Sequence, residues 1–512
     1  MSADVFANKS PLDDSELAPV VPTRPEDVDG LVAEARAAQA EWSALELAER
    51  VDRLAPLARR ILARAEEIAE LLHREVGKPV EEAALAEVLP NADLVDYWCD
   101  SIEEALENKL VDLDPLSYPG KTGTISREPR GTVALITPWN FPVAIPLRTL
   151  VPAVLAGNAV AFKPSEVTPR TGALVASLFD GLVPKGLVTL VQGGADVGRA
   201  LLEANVDAVV FTGSVATGKA IARACAERLL VCSLELGGKD AAIVLEDADL
   251  DRAANGIVWG AFSNAGQNCA AVERVFVHEK VAQAFTEKVV ALTKSLSRAE
   301  LAVMTTHAQR DKVRGHLEAA VARGAKVLTG GAPEGQGHEF LPTVVAIEGE
   351  NAASELMTDE TFGPVLPIAI VASADEAVER ANASRYALTT SVWTKKVARG
   401  RALARRLASG IVTINNHAFT AALPAAPWTG QGETGYGVTN SVHCLSSLTR
   451  VRFVLEDTNR QKRELWWYPY TPTLRTIAFA MAELKGGARG FARIAALFRL
   501  VPALLSRLFG RG

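Results

Sequence analysis

Apolar positions in the first fifth of the chain recur with the spacing of helices. Between residues 28 and 108, in runs such as LVAEARAAQAEW and RVDRLAPLARRILARAEEIAELLHREV, apolar residues return every three to four positions with charged residues between them. This period is that of an amphipathic α-helix with one face on a core. The region is therefore predicted to be helical.

From residue 131 the pattern changes to short apolar and β-branched runs that are separated by helical spacers. Strands are predicted first at GTVALITP (131–138), NAVAFKP (158–164), LVTLVQG (187–193), DAVVFTGS (207–214) and LLVCSLEL (229–236). A second set, between 249 and 416, is predicted at 274–278, 325–330, 365–371, 391–394 and 411–415. Such alternation is typical of βαβ units. The chain is predicted to be an α/β protein with two Rossmann-like parallel-sheet domains.

Two segments depart from this alternation. Residues 111–130, VDLDPLSYPGKTGTISREPR, mix turn formers with β-branched residues and are predicted as an extended hairpin or arm. Beyond residue 457, LRTIAFAMAELK (474–485) and FARIAALFRLVPALLSRLF (491–509) predict two helices, the second kinked by Pro502. On a helical wheel, one side of the second helix is basic and leaves a wide apolar face; its arginines are Arg489, Arg493, Arg507 and Arg511.

Composition and charge narrow the class of protein. The 512 residues are 48% apolar and 22% charged, which is typical of a globular protein with a sizeable core. The five cysteines and seven histidines are scattered without metal-ligand spacing, so no metal site is predicted and reduced thiols indicate a cytoplasmic location. The acidic N-terminus does not resemble a signal peptide. A net charge of −7 gives no reason to expect nucleic-acid binding.

The charge is unevenly distributed along the chain. From 457 to 512, ten Lys or Arg stand against three Asp or Glu, which gives this tail +7 and the preceding chain −14. A basic amphipathic helix is typical of proteins that lie in the plane of an anionic membrane. Three interpretations stay open: peripheral membrane contact through the tail, packing of the tail on the acidic body of the same chain, and binding of a partner protein.

The candidate chemistry centres on Glu235 in LELGGKD and Cys269 in NAGQNCAA, which lies 34 positions later. A thiolate attacks carbonyl carbons, and a carboxylate can deprotonate the water that hydrolyses the resulting thioester. An isolated cysteine is usually inert packing, but the GQN that precedes Cys269 suits an exposed turn. Glu235 lies where an apolar run ends, and strand ends are where open α/β sheets carry their functional residues.

A dinucleotide site is indicated without the usual G-x-G-x-x-G fingerprint. In FTGSVATGKA, Gly213 and Gly218 flank a turn that opens a helix, whose free N–H groups suit a pyrophosphate. The same residues approach the phosphate-binding loop G-x-x-x-x-G-K of nucleotide triphosphatases. Ala220 lacks the hydroxyl that would hold magnesium there, so the triphosphatase interpretation is the less favoured of the two.

Three further motifs follow predicted strands. KPSE places Lys163 and Glu166 where they can bind the hydroxyls of an adenosine ribose, and this carboxylate would repel a 2′-phosphate, which favours NAD over NADP. TPWNFP holds Asn140 between prolines as an amide donor for an oxyanion. DETFGPV offers Glu360 as a ribose acceptor and Phe362 as an apolar wall for a nicotinamide.

Six motifs in this order, PWNFP, KPSE, FTGS, ELGGK, GQNC and ETFGPV, resemble those of the aldehyde dehydrogenase superfamily over residues 28–455. The resemblance implies oxidation of an aldehyde to the carboxylic acid with NAD, or with NADP as the alternative cofactor. It implies that Cys269 is the nucleophile, that Glu235 activates the hydrolytic water, and that Asn140 joins the Cys269 N–H in an oxyanion hole. The cofactor-binding residues that it implies are Thr137, Trp139, Lys163, Ser165, Glu166, Gly213, Ser214, Leu236, Gly237, Glu360 and Phe362.

The resemblance also implies a domain organisation and a homodimer or homotetramer. The expected parts are a cofactor-binding domain (1–110 and 130–241), a catalytic domain (242–439), an oligomerisation arm (111–129 and 440–456) and a C-terminal extension (457–512). Many members of the family have a lysine just before the helix proline, here Pro152. This chain has Arg148, Thr149 and Leu150 in that region, so a proton relay through that lysine is not carried over.

Two alternative functions stay open. A CoA-acylating relative shares the cysteine but transfers the acyl group to a thiol and needs no base for water, so Glu235 speaks against it. A catalytically idle scaffold that binds a membrane or a protein is motivated only by the tail. The sequence does not identify the aldehyde. Arg148, near the expected entrance, favours an acidic substrate in one interpretation and has a surface role in the other.

Overall fold

The computed structural model describes residues 8–114, 117–331, 337–348, 354–417, 419–460 and 462–509. Arg511 lies outside them. The chain divides into two compact units. Unit 1 comprises residues 1–107 and 126–452, and unit 2 comprises residues 108–125 and 453–512.

The elements follow one another in an α-helical start, two α/β stretches and a helical end. The helices are α1 (Val28–Ser43), α2 (Leu47–Leu54), α3 (Pro56–Ala63), α4 (Ala65–Val76), α5 (Val80–Ala83), α6 (Leu89–Leu106), α7 (Ala144–Leu155), α8 (Pro169–Ser177), α9 (Ala195–Glu203), α10 (Val215–Glu227), α11 (Leu250–Phe262), α12 (Glu279–Ser295), α13 (His307–Ala322), α14 (Glu355–Thr358), α15 (Ala374–Asn382), α16 (Val397–Ala404), α17 (Leu445–Leu448), α18 (Pro472–Lys485) and α19 (Gly490–Phe509). The strands are β1 (Lys109–Val111), β2 (Lys121–Pro129), β3 (Thr132–Ile136), β4 (Ala159–Lys163), β5 (Val188–Leu190), β6 (Ala208–Thr212), β7 (Val231–Glu235), β8 (Asp240–Val244), β9 (Val272–His278), β10 (Lys326–Gly331), β11 (Leu341–Ile347), β12 (Val365–Val371), β13 (Tyr386–Ala387), β14 (Thr389–Trp393), β15 (Ile411–Ile414), β16 (Gln431–Gly432), β17 (Gly435–Tyr436) and β18 (Thr449–Asp457).

The predicted helical region is confirmed as α1 to α6, with a short π-helical segment at Ala84–Val88. The long periodic run divides where Pro56 begins α3, because proline is favoured in the first helical turn and cannot continue a preceding one. Trp42 and Trp98 are fully buried in the core that these helices form. The indole N–H of Trp42 donates to the carbonyl of Val154 at 2.7 Å, which ties α1 to α7.

A parallel sheet with the strand order β17-β7-β6-β3-β4-β5 lies in unit 1. Its five predicted strands are confirmed, and only β17 runs antiparallel to its neighbour. Every residue of β4 and β6 is buried, as is expected of strands covered by helices on both faces. The order reverses at β3, between β4 and β6, which is the point where open α/β sheets form a crevice for ligands.

A second sheet in unit 1 has the order β10-β11-β12-β9-β8-β14-β15, parallel except for β10. The α/β fold class with two Rossmann-like sheets is confirmed, but two strands were not predicted. β8 begins only five positions after β7 ends and lies before 249, where the second set was placed, so the short run DAAIV was not recognised. β11, LPTVVAI, was also missed although most of it is buried.

Unit 2 contains strand segments and a pair of helices. β1 pairs antiparallel with β2, and the sheet order β1-β2-β18 agrees with the predicted arm. The strand of the arm begins at Thr449, since residues 442–448 form short helical turns. The two predicted tail helices are confirmed as α18 and α19. Within the described ranges, no helix is long and apolar enough to cross a membrane.

Two glycines inside helices of unit 1 are expected to respond oppositely to substitution by alanine. A Cβ at Gly256 in α11 would lie 2.3 Å from the ring of Trp393, which is 2% exposed. Gly256→Ala should therefore lower the free energy of unfolding by about 1–3 kcal/mol through overpacking. Gly315 in α13 has nothing within 4 Å of the corresponding position, so Gly315→Ala should raise stability by about 1 kcal/mol. Thermal denaturation of both variants checks the sign, and melting shifts in the same direction would contradict the packing described here.

Candidate active site

Glu235 and Cys269 come from different segments of the chain and line the same cavity. Glu235 is the last residue of β7, and Cys269 lies in the turn between α11 and β9. The cavity has a volume of about 280 Å³. Its other lining residues are Thr212, Leu234, Leu236, Leu388, Trp428, Thr429, Gly430, Thr434 and Gly437. The structure thus brings together the two residues that the sequence singled out.

The turn that carries Cys269 is held by close backbone packing. Asn264 and Ala265 have φ values of 50° and 53°, in the left-handed region. A Cβ at Gly266 would lie 2.4 Å from a neighbouring carbonyl oxygen, and a Cβ at Gly238 would lie 2.2 Å from the carbonyl oxygen of Cys269. Only glycine allows approaches this close. The chain segments that carry the proposed nucleophile and base are therefore in direct backbone contact.

A buried ion pair ties these two segments to a third. Lys239 Nζ lies 2.5 Å from Glu273 Oε2 and donates to the hydroxyl of Thr361 at 3.0 Å. The two side chains are 0% and 3% exposed. The backbone N–H groups of Thr361 and Phe362 donate to the two oxygens of Glu273 at 2.8 and 2.7 Å. The DETFGPV loop is thereby fixed next to ELGGK.

A second buried ion pair holds the segment that carries Asn140. Lys78 Nζ donates to Glu87 Oε1 at 2.5 Å and to the carbonyl of Asn140 at 3.0 Å. The other oxygen of Glu87 accepts the N–H of Val143 at 2.9 Å, just before α7 begins. Asn140 is buried, and its Nδ2 donates to the carbonyl of Gln267 at 3.1 Å. Asn140 therefore contacts the turn that carries Cys269.

Burial controls the charge of both cavity residues. It raises the pKa of Glu235 to about 7, against the hydrogen bond that the hydroxyl of Thr439 donates to this carboxylate. Burial, and next the Glu235 carboxylate, raise the pKa of the Cys269 thiol above its ordinary range. The Arg148 guanidinium acts in the opposite direction and lowers the pKa of both groups. At neutral pH the thiol is protonated, and Glu235 is partly ionised.

Arg148 lines a second cavity, of about 220 Å³. Its guanidinium carbon lies 5.9 Å from the ring centroid of Trp428, a residue that lines the Cys269 cavity. Burial lowers the pKa of Arg148, while the nearby Glu235 carboxylate raises it. Arg148 is half-buried, lines a cavity and acts electrostatically on Glu235, and its role toward an acidic substrate and its surface role both stay predictions.

The KPSE motif places a buried ammonium beside an exposed carboxylate. Lys163 ends β4, and its Nζ lies 3.8 Å from Glu166 Oε2 and donates to the carbonyl of Pro164 at 3.3 Å. Burial lowers the pKa of Lys163. The Glu166 side chain is half exposed, and Ser165 between them is buried. An ammonium and a carboxylate side by side at a strand end can donate to and accept from a vicinal diol.

In FTGSVATGKA the turn is shorter than predicted. Ser214 is the N-cap of α10, and its hydroxyl accepts the N–H of Thr217 at 3.3 Å. The N–H of Gly213 donates to the carbonyl of Glu235 at 3.0 Å. Gly218 lies inside α10, where a Cβ would lie 2.4 Å from the buried side chain of Leu236. The prediction that Gly213 and Gly218 flank one turn is wrong, since only Gly213 lies in it.

The triphosphatase interpretation of this motif is also wrong. Lys219, which would have to reach a phosphate, is in the first turns of α10 and its Nζ lies 2.5 Å from Glu433 Oε1. The residues therefore form a capped helix start and not a phosphate-wrapping loop. The exposed N-terminus of this 13-residue helix still suits an anion.

The residues that follow β7 face the carboxylate of Glu360. A Cβ at Gly237 would lie 2.7 Å from this carboxylate, and the N–H of Gly238 donates to it at 3.0 Å. Burial raises the pKa of Glu360 to about 7. Leu236 is buried, and its N–H donates to the carbonyl of Thr434 at 2.8 Å. Glu360 is therefore adjacent to the segment that carries Glu235.

The remaining predicted residues lie on the PWNFP and ETFGPV segments. The rings of Trp139 and Phe362 pack edge to face, with centroids 5.7 Å apart. Phe362 has a φ of 55°, a conformation that the hydrogen bonds to Glu273 hold in place. The N–H of Thr137 donates to the carbonyl of Lys163 at 3.1 Å, and its buried hydroxyl has no partner among the described residues. That hydroxyl is free for a ligand.

Sequence reasoning missed the residues of both buried ion pairs. Glu273 lies in VERVFVH, a strand in which every residue is buried, and a charge in such a run was the signal that could have found it. Glu87 and Lys78 are likewise fully buried. Which lysine pairs with which glutamate depends on the fold, so the spacing of these residues along the sequence does not reveal the pairs.

Two of the seven scattered histidines lie close to one aspartate. Asp14, His307 and His338 bring one ligand atom each to within 4.8 Å of one another. The His338 ring bonds through Nδ1 to the carbonyl of Met304 at 2.7 Å. The three residues are at least partly exposed and do not line the Cys269 cavity. Two of the seven histidines thus lie close together in the fold although they are far apart in the sequence.

Comparison with known proteins agrees with the six motifs. The aldehyde dehydrogenase family profile matches residues 1–454. A 4,4′-diapolycopene aldehyde oxidase from a Methylomonas species is 34% identical over 475 residues, which are 91% of this chain and 88% of that protein.

Solved structures of the same family superpose closely on the chain. PnpE from Pseudomonas sp. WBC-3 is 33% identical with a TM-score of 0.85, over 90% of this chain and 96% of its own. The NAD⁺ complex of an aldehyde dehydrogenase from Bacillus cereus is 31% identical with a TM-score of 0.85, over 89% and 94%. The resemblance read from the motifs is confirmed: the chain belongs to the aldehyde dehydrogenase family and is an oxidoreductase that acts on aldehydes.

Proposed function

We propose that this enzyme oxidises an aldehyde to the carboxylic acid, with Cys269 as the nucleophile and Glu235 as the base for a hydrolytic water. The observation that carries the proposal is the cavity that both residues line. A cysteine alone would permit transfer of the acyl group to several acceptors. A carboxyl group with a pKa of about 7 in the same cavity favours water as the acceptor. This speaks against the CoA-acylating and the idle-scaffold alternatives.

The first half-reaction begins at the Cys269 thiol. The thiol loses its proton to solvent, and the Arg148 guanidinium favours the thiolate that remains. A C–S bond forms to the aldehyde carbon while the carbonyl π electrons move to oxygen. The Cys269 N–H and the Asn140 amide donate to this oxyanion. Asn140 has a donor to spare, because Gln267 accepts only one of its two N–H groups.

The second half-reaction releases the product. NAD, when bound, supplies the acceptor for the hydride that leaves the carbon, so that a thioester to Cys269 remains. Glu235 takes a proton from water while the water oxygen bonds to the thioester carbon. The oxyanion electrons then re-form the carbonyl as the C–S bond breaks, and the acid leaves. The Cys269 thiolate takes the proton that Glu235 holds, which restores the thiol and the carboxylate. Because burial raises the pKa of Glu235 to about 7, its basicity is matched to neutral pH.

The proposed cofactor site extends along the carboxyl ends of the first sheet. Lys163 and Glu166, with Ser165 between them, would bind the adenine ribose, and the Glu166 carboxylate favours NAD over NADP. Gly213 and Ser214 at the N-terminus of α10 would face the pyrophosphate. The nicotinamide riboside would be held by Thr137, Trp139, Leu236, Gly237, Glu360 and Phe362. The free hydroxyl of Thr137 and the buried ammonium of Lys163 fit this assignment.

We also propose the division of labour among the parts. Residues 1–110 and 130–241 would bind the cofactor, and 242–439 would supply Cys269. The arm, 111–129 and 440–456, would join chains into a homodimer or homotetramer. β18 lies at the edge of its sheet and exposes Val451, Phe453 and Leu455 by 65%, 51% and 49%. An exposed apolar edge strand is a typical surface for pairing with a second chain.

We further propose that the C-terminal extension makes a peripheral membrane contact. The extension has a charge of +7 and lies beyond the residues that the family profile matches. It exposes aromatic and aliphatic side chains of both helices, among them Phe479, Phe491 and Phe498. Basic and apolar groups on one exposed segment are typical of contact with an anionic lipid surface.

Glu235→Gln should separate the two half-reactions. The variant should form one reduced cofactor per site in a burst and then turn over roughly 10²–10⁴-fold more slowly, because the amide cannot deprotonate water. Rapid-mixing absorbance of the reduced cofactor, with a panel of aldehydes and NAD or NADP, measures both phases. Cys269→Ala is the matched control and should show neither burst nor turnover. Undiminished turnover in Cys269→Ala, or a Glu235→Gln variant without a burst, would contradict the assigned roles.

Arg148 should set the pH at which hydrolysis becomes fast. Since Glu235 acts in its deprotonated form, steady-state turnover should rise with pH through about 7. Arg148→Met removes a cation that favours the carboxylate, so the pKa of Glu235 should rise, and the rise in turnover should occur roughly one pH unit higher. Arg148→Lys keeps the charge and should leave the pH of this rise nearly unchanged. A pH profile of single-substrate turnover checks this, and an unchanged pH of the rise in Arg148→Met would refute the coupling.

The arm predicts the mass of the assembly in solution. Light scattering should give two or four times the chain mass of 54.4 kDa. Val451→Lys with Leu455→Lys should shift the enzyme toward the single chain, because charges on the exposed face of β18 oppose strand pairing. Val327→Lys, on the exposed edge strand β10, is the control and should leave the mass unchanged. A wild-type enzyme of single-chain mass would exclude the arm as an interface.

A further inference from the structure

Apolar side chains of α19 lie on two sides of the helix. On the side that also carries Arg493 and Arg507, Leu500 packs with Ile477 and Ala480 of α18 in a small core of unit 2. Within the described part of the chain, the side chains on the other side of α19 are largely exposed. Successive turns of the helix expose the side chains of Phe491, Ile494, Leu497, Phe498, Val501 and Leu505 on this side. The core of the helix pair is therefore complete without this second face.

The exposed face is too apolar to be an ordinary water-facing surface. Phe491 and Phe498 are 86% and 77% exposed, and Ile494, Val501 and Leu505 are each about half exposed. The residues are spaced three or four apart over 491–505, which spans about 21 Å at about 1.5 Å per residue. A continuous apolar stripe of this length marks a contact with another apolar phase.

Two exposed cations lie at the N-terminal end of α19. Arg489 and Arg493 are exposed, and in the described part of the chain neither has an ion pair. The acidic groups of the extension are already engaged: Asp457 and Glu464 accept from Lys121 at 2.9 and 2.8 Å, and Glu483 pairs with Arg499. The acidic groups of the extension therefore do not balance the remaining positive charge of its arginines and lysines.

Aromatic side chains with one polar end precede the helices. Trp466, Trp467, Tyr468 and Tyr470 are 45%, 54%, 75% and 71% exposed. Rings of this kind are enriched at the level of lipid headgroups, where one end is apolar and the other is wet. These four rings are further exposed side chains of unit 2 that suit such an interface.

We infer that α19 lies in the plane of a bilayer that contains anionic phospholipids, with its exposed apolar stripe in the acyl boundary and its arginines on the lipid phosphates. The inference rests on the peripheral membrane contact proposed above and names its residues and its lipid. A second copy of the chain is the other candidate occupant. Contact between two such surfaces would bring two sets of unpaired arginines together, whereas an anionic bilayer supplies the missing negative charge.

Vesicle co-sedimentation of the full-length enzyme tests this inference. Vesicles of phosphatidylcholine with about one third phosphatidylserine should bind the wild type, and phosphatidylcholine alone should bind it at least about tenfold more weakly. Phe491→Ser with Phe498→Ser should lower binding to the anionic vesicles at least about tenfold. Arg489→Gln with Arg493→Gln should remove most of the preference for the anionic lipid. The control, Leu229→Ser with Trp259→Ser, changes two exposed apolar residues of unit 1 and should bind as the wild type does.

The outcomes are distinguishable. Equal binding by the wild type and the Phe491→Ser, Phe498→Ser variant would overturn the role of α19, although a membrane contact elsewhere would survive. Binding to neither vesicle would overturn the membrane contact itself. A variant that loses chain association in light scattering, with unchanged lipid binding, would assign the stripe to a second copy and also overturn the inference. Aldehyde turnover, measured on every variant, should stay at the wild-type rate, so a failure of the catalytic proposal is recognised separately.

Discussion

The buried ion pair between Lys239 and Glu273 is the interaction on which the proposed active site depends. Lys239 lies four positions after Glu235, and Glu273 lies four positions after Cys269, so the same interval of 34 residues separates the members of both pairs. The ion pair therefore fastens the two chain segments just beyond the proposed base and nucleophile. Because both oxygens of Glu273 also accept backbone N–H groups of the ETFGPV loop, a third segment is fixed by the same carboxylate. A buried charge without its partner is strongly destabilising, so loss of either Lys239 or Glu273 would destabilise the contact among all three segments.

The ion pair of Lys78 and Glu87 does the same for the segment of Asn140. In both places the buried charges bind backbone groups and do not pair with the side chains to which we assign catalytic roles. Lys78 binds the carbonyl of Asn140 and not its amide, and Glu273 binds N–H groups and not the carboxylate of Glu360. The charged residues that hold the backbone are thus different from the residues to which we assign the chemistry. Asn264 and Ala265 adopt an unfavourable left-handed backbone conformation, which the surrounding contacts stabilise.

Much of this arrangement could be predicted from local patterns, and the exceptions have separate causes. The strands of the first sheet follow from continuous apolar runs, and Glu235 and Cys269 were found from motifs at the ends of such runs. β8 was missed because its short run begins only five positions after β7 ends, and β11 contains Pro342, a residue that argues against a strand. Lys219 and Gly218 were assigned to a turn because a loop and the first turn of a helix have similar glycine-rich sequences. The ion pairs and the meeting of Asp14 with His307 and His338 depend on residues far apart in the chain, which no window of sequence displays.

The burial of Cys269 has a consequence for the chemical durability of the enzyme. Thiolates, and not thiols, are the species that peroxides oxidise and electrophiles alkylate. Since burial and the neighbouring carboxylate raise the pKa of Cys269, the resting residue is held as the less reactive thiol. Aldehydes themselves are electrophiles, so we expect the protonated thiol to be modified more slowly between turnovers than a thiolate would be. The burial that raises the pKa of the proposed nucleophile is therefore also expected to slow its oxidation and alkylation.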